Sequence, residues 1–186
     1  MENKRIYIVL TRTNTILSRL IAIIKNDEYT HASISLNKNL DVMYSFGRKN
    51  KYNPFIGRFV KENINEGVFG LQKSLNGLVL ELEVTFEQYN KINDLLNEFI
   101  ANSNSYKYNY FGLIYSLLNI EACKSDRFLC SEFVYYILNE CDAINLNKSR
   151  NLIRPQDFLE LNGKVLFKGN FKNEIEILTS YKFVEI

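Results

Sequence analysis

The sequence predicts an α+β domain in which an antiparallel sheet packs against helices. Three observations carry this expectation. Two strand-like runs, Thr30–Leu36 and Leu40–Phe46, flank a short turn and read as a hairpin. Several later segments place apolar residues at helical spacing behind capping residues. Strand-like runs return near the C-terminal end. At 186 residues the chain fits one domain, residues 1–186, and is long enough to bury a sizeable core.

Taken in order, Arg5–Thr11 is rich in β-branched and aromatic residues and reads as a strand. Thr13 or Asn14 then caps a helix whose apolar residues are Ile16, Leu17, Leu20, Ile21 and Ile24, a core-packing stripe. In the hairpin, His31, Ser33 and Ser35 fall on one face and Ala32, Ile34 and Leu36 on the other. On the return strand Asp41, Met43 and Ser45 oppose Val42, Tyr44 and Phe46. The apolar set suits the core, which leaves His31 on the small, polar side. Arg48 to Gly77 reads as a long loop, with Pro54 and several glycines among basic and aromatic residues. It is expected to form a lid or one wall of a cleft. Its Arg48, Lys49, Lys51 and Arg58 are of the right charge for an anionic ligand, although a solvated loop is the default reading.

Leu78–Val84 alternates and reads as a strand. Thr85 with Gln88 makes a capping box for a helix with the inner stripe Tyr89, Ile92, Leu95, Leu96 and Phe99. Tyr106–Gly112 leads into an apolar helix ending near Leu118. A further helix starts at Cys130 and carries Phe133, Val134, Ile137, Leu138 and Cys141 on one side. Pro155 suits the first turn of a short helix. Lys164–Phe167 and Glu174–Leu178 read as strands, with Tyr181–Val184 as a third.

Composition excludes several functions. A hydrophobic content of 46% and a charged content of 24% are those of an ordinary globular protein. The net charge of +2, without a binding motif, argues against a nucleic-acid partner. Twelve Tyr and thirteen Phe point to an aromatic-rich interior or cleft. The first residues run straight into a strand with no secretory pattern, and no apolar run reaches the roughly 18–20 residues that span a bilayer. A cytoplasmic protein without a membrane segment is expected. Three cysteines, Cys123, Cys130 and Cys141, then imply free thiols rather than a disulfide framework. A zinc site would need all three with His31, and their spacings match no C-x-x-C pattern. Neither metal nor cofactor is expected.

The residue with the strongest chemical signal is Cys130. A thiol in the first turn of a helix sits at the positive end of the helix dipole, which favours thiolate. The one histidine available as its base is His31. Each has a plainer reading: a Cys on an apolar face is usually a small buried hydrophobe, and an isolated His near a strand start is usually just hydrogen-bonded. Cys141 fits that plainer reading. Cys130 differs by following a polar, charged segment.

A thiol on a helix N-terminus with an imidazole on an adjacent sheet is the layout of papain-like catalysis. Here the His precedes the Cys by about a hundred residues, the reverse of the papain order. Four words, Thr30-His31-Ala32-Ser33-Ile34, Tyr106–Gly112, Phe128-Leu129-Cys130-Ser131-Glu132-Phe133-Val134 and Pro155-Gln156-Asp157-Phe158, span most of the chain. In that order they resemble the circularly permuted papain-like amidases of the YiiX/YaeF type, relatives of the NlpC-type cell-wall peptidases. The resemblance implies a permuted papain-like fold, with Cys130 as nucleophile and His31 as base. It further implies a polar third residue on the strand after the His strand. Counting across the hairpin reaches Met43 or Ser45, so Ser45 is the expected third residue, with Asp41 and Glu62 as alternatives. Glu132 is expected to face solvent, with pairing to a basic side chain as the alternative. The implied substrate is an amide in a small peptide or amino-acid conjugate. The alternatives are a thiol acyltransferase or lipid-ester hydrolase like lecithin retinol acyltransferase, and a non-catalytic binding domain on the same fold.

Overall fold

Eight strands and four α-helices make up the part of the chain described by the computed structural model, residues 3–13, 27–50 and 53–173. The helix expected after Thr13 and the strands expected at 174–178 and 181–184 lie outside these residues. The class is α+β, with a six-stranded antiparallel sheet at its centre. Its strands are β1 (Lys4–Thr11), β2 (His31–Ser35), β3 (Met43–Asn50), β4 (Asn53–Glu62), β5 (Asn76–Val84) and β8 (Lys164–Asn170). Their order across the sheet is β4-β3-β2-β1-β5-β8. Two dipeptides, β6 (Lys107–Tyr108) and β7 (Arg127–Phe128), pair in parallel apart from it. The helices are α1 (Gly67–Gly70), α2 (Phe86–Ala101), α3 (Tyr110–Leu117) and α4 (Cys130–Glu140), with 3-10 turns at Arg150–Leu152 and Pro155–Glu160. Among the described residues no helix is long and apolar enough to cross a membrane.

Alternation sorts the strand residues into two cores. Ile6, Ile8, Leu10, Ala32, Ile34, Phe46, Leu78, Leu80 and Leu82 face α2 and α4, where Ile92, Leu96, Phe99, Phe133, Val134 and Ile137 meet them. Tyr7, Val9, Met43, Val79 and Phe167 face the other way and are covered by Leu40, Ile64, Phe69, Leu75 and Phe171. Both faces of the central strands are therefore dry. This is why β1 buries every residue from Ile6 to Thr11 instead of alternating.

The hairpin forms with Ile34 opposite Tyr44, but its second strand starts at Met43 rather than Leu40. Ser35 Oγ donates to the Val42 carbonyl at 2.7 Å and accepts from Asn37 N–H at 3.1 Å, which holds Asn37–Val42 in the turn. Leu40 there has a φ of 56°, the left-handed region that strands exclude. The stretch expected to be a loop, Arg48–Gly77, is the larger departure. β3 runs on to Asn50, and Asn53–Glu62 is the edge strand β4. An edge strand tolerates proline, glycine and lysine, and those residues masked its strand character. Gly57 is required there, because a Cβ would lie 2.7 Å from the Tyr108 ring.

The helices start where the sequence places them. Thr85 Oγ1 accepts from Gln88 N–H at 3.2 Å and Gln88 Oε1 from Thr85 N–H at 2.9 Å, closing the capping box of α2. Asn109 Oδ1 caps α3 through Gly112 N–H at 2.9 Å. α4 starts at Cys130 itself. Phe133 is fully buried at the centre of an aromatic cluster, 5.4 Å from the Phe46 ring, 5.5 Å from Phe59 and 5.1 Å from Phe99. Phe133→Ala is expected to cost about 4 kcal/mol, as transfer and cavity terms add for a buried aromatic ring. The urea midpoint, compared at unchanged slope, measures it.

Candidate active site

The nucleophile candidate stands where α4 meets the sheet. Cys130 is 8% exposed, and the His31 imidazole at the start of β2 acts on its thiol and lowers the thiol pKa. Ser45 Oγ donates to the Ala32 carbonyl at 2.7 Å. At Ala32 the β2–β3 ladder, which pairs Ile34 with Tyr44, is thus replaced by a hydroxyl on the carbonyl. This gap lets the helix start reach the strand.

The imidazole is held from its far side. His31 Nε2 lies 2.9 Å and 3.1 Å from the two carboxylate oxygens of Glu62, the last residue of β4. With Nε2 taken, Nδ1 is the nitrogen left for the thiol. Phe69 meets the ring edge-on at 5.8 Å. Gly47 leaves the space in which ring and carboxylate meet; a Cβ there would stand 3.2 Å from Glu62 Oε1 and 3.6 Å from His31 Cε1. Ser33, two residues along β2 on the same face, donates to Glu62 Oε2 at 2.6 Å and lies 3.3 Å from His31 Nε2.

These contacts set the charges. Burial disfavours the imidazolium, but the Glu62 carboxylate and the hydrogen bond to Cys130 outweigh it and raise the His31 pKa well above 6.5. Burial likewise disfavours thiolate at Cys130. The His31 hydrogen bond and charge, with the Ala32 and Ser131 N–H groups, override it and lower the thiol pKa. Both shifts favour a thiolate–imidazolium pair. By contrast Cys141 is buried against apolar side chains, and its pKa is raised, burial being the main cause.

Ser45 does not orient the imidazole, because its hydroxyl is engaged by the Ala32 carbonyl. Asp41 lies away from the ring: its side chain accepts from Asn37 Nδ2 at 3.4 Å and its carbonyl from Asn63 Nδ2 at 3.0 Å. Of the three candidates, the structure brings Glu62 to His31. It was hidden because β4 read as a loop. One strand beyond Met43, the register reaches Glu62 directly.

Glu132 is the second correction. It is fully buried rather than solvent-facing. Its Oε2 accepts from Leu129 N–H at 3.1 Å and from Asn109 Nδ2 at 3.2 Å, and its Oε1 from Arg150 Nε at 3.1 Å. Burial raises its pKa, while these donors pull the other way. Arg150 lies over the rings of Phe128 at 4.7 Å and Tyr136 at 5.1 Å, and donates to the Lys124 carbonyl at 2.6 Å. Sequence reasoning did not single out Arg150 or Asn109. An acid three residues after the backbone N–H it accepts is a helix-start signature, and it was there to be read.

Three further residues complete the surroundings. Tyr108, brought beside Phe128 by the β6–β7 pair, has its phenol pKa raised by burial and then by negative charge at Cys130. Gln156 Oε1 accepts from Glu28 N–H at 3.1 Å, and Arg154 pairs with Asp27 at 2.9 Å. The Pro155–Phe158 word therefore clamps the segment that leads into the His31 strand. The family-model comparison gave no match, and neither did the comparisons with curated proteins and with solved structures.

Glu132→Ala is expected to destabilise the fold by about 3 kcal/mol, since it leaves Arg150 without its carboxylate partner. Glu132→Gln, which keeps an acceptor oxygen, is expected to lose less. Chemical denaturation of both variants measures the difference.

Proposed function

We propose that the chain is a thiol hydrolase with a circularly permuted papain-like (NlpC-type) fold, cleaving an amide bond in a small peptide or amino-acid conjugate. One observation carries the reading: His31, whose Nε2 is held by the Glu62 carboxylate at 2.9 Å, lowers the pKa of the Cys130 thiol at the start of α4. The order His31, Glu62, Cys130 along the chain fits the permuted form.

In this reading the Cys130 thiolate attacks the amide carbonyl carbon, and the negative charge moves to the carbonyl oxygen. The Cys130 backbone N–H, in the first helical turn where the carbonyl four residues back, that of Asp126, lies outside the helix and accepts from Lys107 N–H, is positioned to hold that oxyanion. The His31 imidazolium gives its proton to the leaving nitrogen as the C–N bond breaks, leaving a thioester on Cys130. His31, now neutral, takes a proton from water. The hydroxide equivalent attacks the thioester, the acid departs and the thiolate returns with the imidazolium. Glu62 holds one ring orientation throughout and stabilises the positive ring. A carboxylate in that place also weakens the non-catalytic reading, which a weak third residue such as Ser45 favours.

The expected pH dependence follows from the two directions of shift. Because the Cys130 pKa is lowered and the His31 pKa is raised, thiolate and imidazolium coexist over a window that opens below the usual thiol range and closes well above 6.5. At pH 6 iodoacetamide should modify Cys130 far faster than Cys123 or Cys141. His31→Ala should slow that reaction about a hundredfold, the scale on which an ordinary thiol of pKa about 8.5 is protonated at that pH. Site-mapped mass spectrometry reads it, and equal rates at the three cysteines would end the proposal.

A second reading, acyl transfer or hydrolysis of a lipid ester, is favoured by the surface beside the site. Helix α3 turns Phe111, Ile114 and Leu118 outward at 70%, 53% and 63% exposure, with Tyr110 and Ile120 also exposed. Tyr110 OH accepts from Gly57 N–H at 2.7 Å, which joins this helix to β4. On this reading, replacing Phe111 and Leu118 by Ser should reduce turnover of a vesicle-bound ester and leave a water-soluble amide unaffected. Loss of neither activity favours the soluble amide.

A further inference from the structure

We propose that Ser33 is a positioning residue that locks the Glu62 carboxylate against His31; the inference rests on the Cys130–His31–Glu62 reading. Glu62 approaches the ring from the last residue of the edge strand β4, on a side chain with three rotatable bonds. Left alone, such a side chain samples many rotamers, and holding it still costs conformational entropy. Ser33 stands on β2 between two paired neighbours, 1% exposed and on the same face as His31. Its short side chain has one torsion and a rigid base.

The bond lengths assign its proton. Ser33 Oγ is 2.6 Å from Glu62 Oε2, the length of a hydroxyl donating to a carboxylate, and 3.3 Å from His31 Nε2. Glu62 Oε2 thus accepts two hydrogen bonds, from the Ser33 hydroxyl and from the ring N–H at 2.9 Å. With both donors in place the carboxylate has one orientation, and its negative charge is fixed at Nε2. The ionisable groups that act on the ring are Glu62 from β4 and Cys130 from α4. Ser33 acts through Glu62 alone. It has no part in the transfer of the thiol proton.

The test compares the iodoacetamide rate at Cys130 in the full chain for wild type, Ser33→Ala, Ser33→Thr, Glu62→Ala and the Ser33→Ala/Glu62→Ala pair. At pH 6 Ser33→Ala is expected to slow alkylation about tenfold, the scale of one hydrogen bond to a charged group. At pH 10, where the thiol is ionised without help, wild type and Ser33→Ala should react alike. Ser33→Thr, which retains the hydroxyl, should recover most of the pH 6 rate. In the Glu62→Ala background Ser33→Ala should cause no further loss, because the group it positions is gone. An unchanged pH 6 rate in Ser33→Ala, or an equal tenfold loss with Glu62 already removed, overturns the proposal. A wild-type Cys130 that reacts no faster than Cys141 at pH 6 overturns the underlying reading instead, so the two failures are distinct.

Discussion

The site depends on one buried carboxylate. Glu132 has no exposure to water, and a charge in that position is tolerated only when its lone pairs are filled by donors and a cation. Its donors come from three separate places: the backbone before α4, the Asn109 side chain that caps α3, and Arg150 beyond the end of α4. Satisfying one carboxylate therefore fixes the start of α4 against two other segments. Arg150 is itself held flat by Phe128 and Tyr136. Ser131 adds a fourth tie, donating to the Ile153 carbonyl at 2.6 Å. With its neighbours on either side so anchored, Cys130 has little freedom, and preorganisation of this kind is what a nucleophile requires.

The second constraint is the two-sided burial of the sheet. On an ordinary half-wet sheet, Ser33, Ser35, Ser45 and His31 would face solvent and need no particular partners. Here they lie beneath α1 and the loops around Leu40 and Ile64, and each must be hydrogen-bonded. Ser35 closes the hairpin turn, Ser45 satisfies Ala32, and Ser33 goes to Glu62. The same scarcity of water strengthens the interaction between His31, Glu62 and Cys130, since fewer dipoles screen it. The polar face of the early hairpin is thus a dry polar layer, and the reactive pair sits at its edge.

Much of this was legible in local sequence, and the losses have identifiable causes. Thr85 and Gln88 announce α2 because a capping box involves residues only three apart. Cys130 could be placed at a helix start and His31 on a strand face for the same reason: each depends on a few neighbours. Glu62 was visible only as one of three candidates. Its strand carries Pro54, Gly57 and several basic residues, and those residues signal loop unless the strand is known to lie at a sheet edge. Glu132 was misjudged because nothing within a few residues of it names Arg150, eighteen positions away.

Outside Arg48–Gly77 the sequence by itself determined the element types, the hairpin and the chemical kinds present: one thiol at a helix N-terminus, one imidazole on a strand. These follow from periodicity and capping, which act over a few residues. Tertiary structure alone decided which groups meet. The carboxylate beside His31 is Glu62 because β4 lies on β3 in the register that pairs Met43 with Glu62. Hydrogen bonds and charge pairs between residues thirty to a hundred and thirty positions apart are set by packing, and no local pattern encodes them.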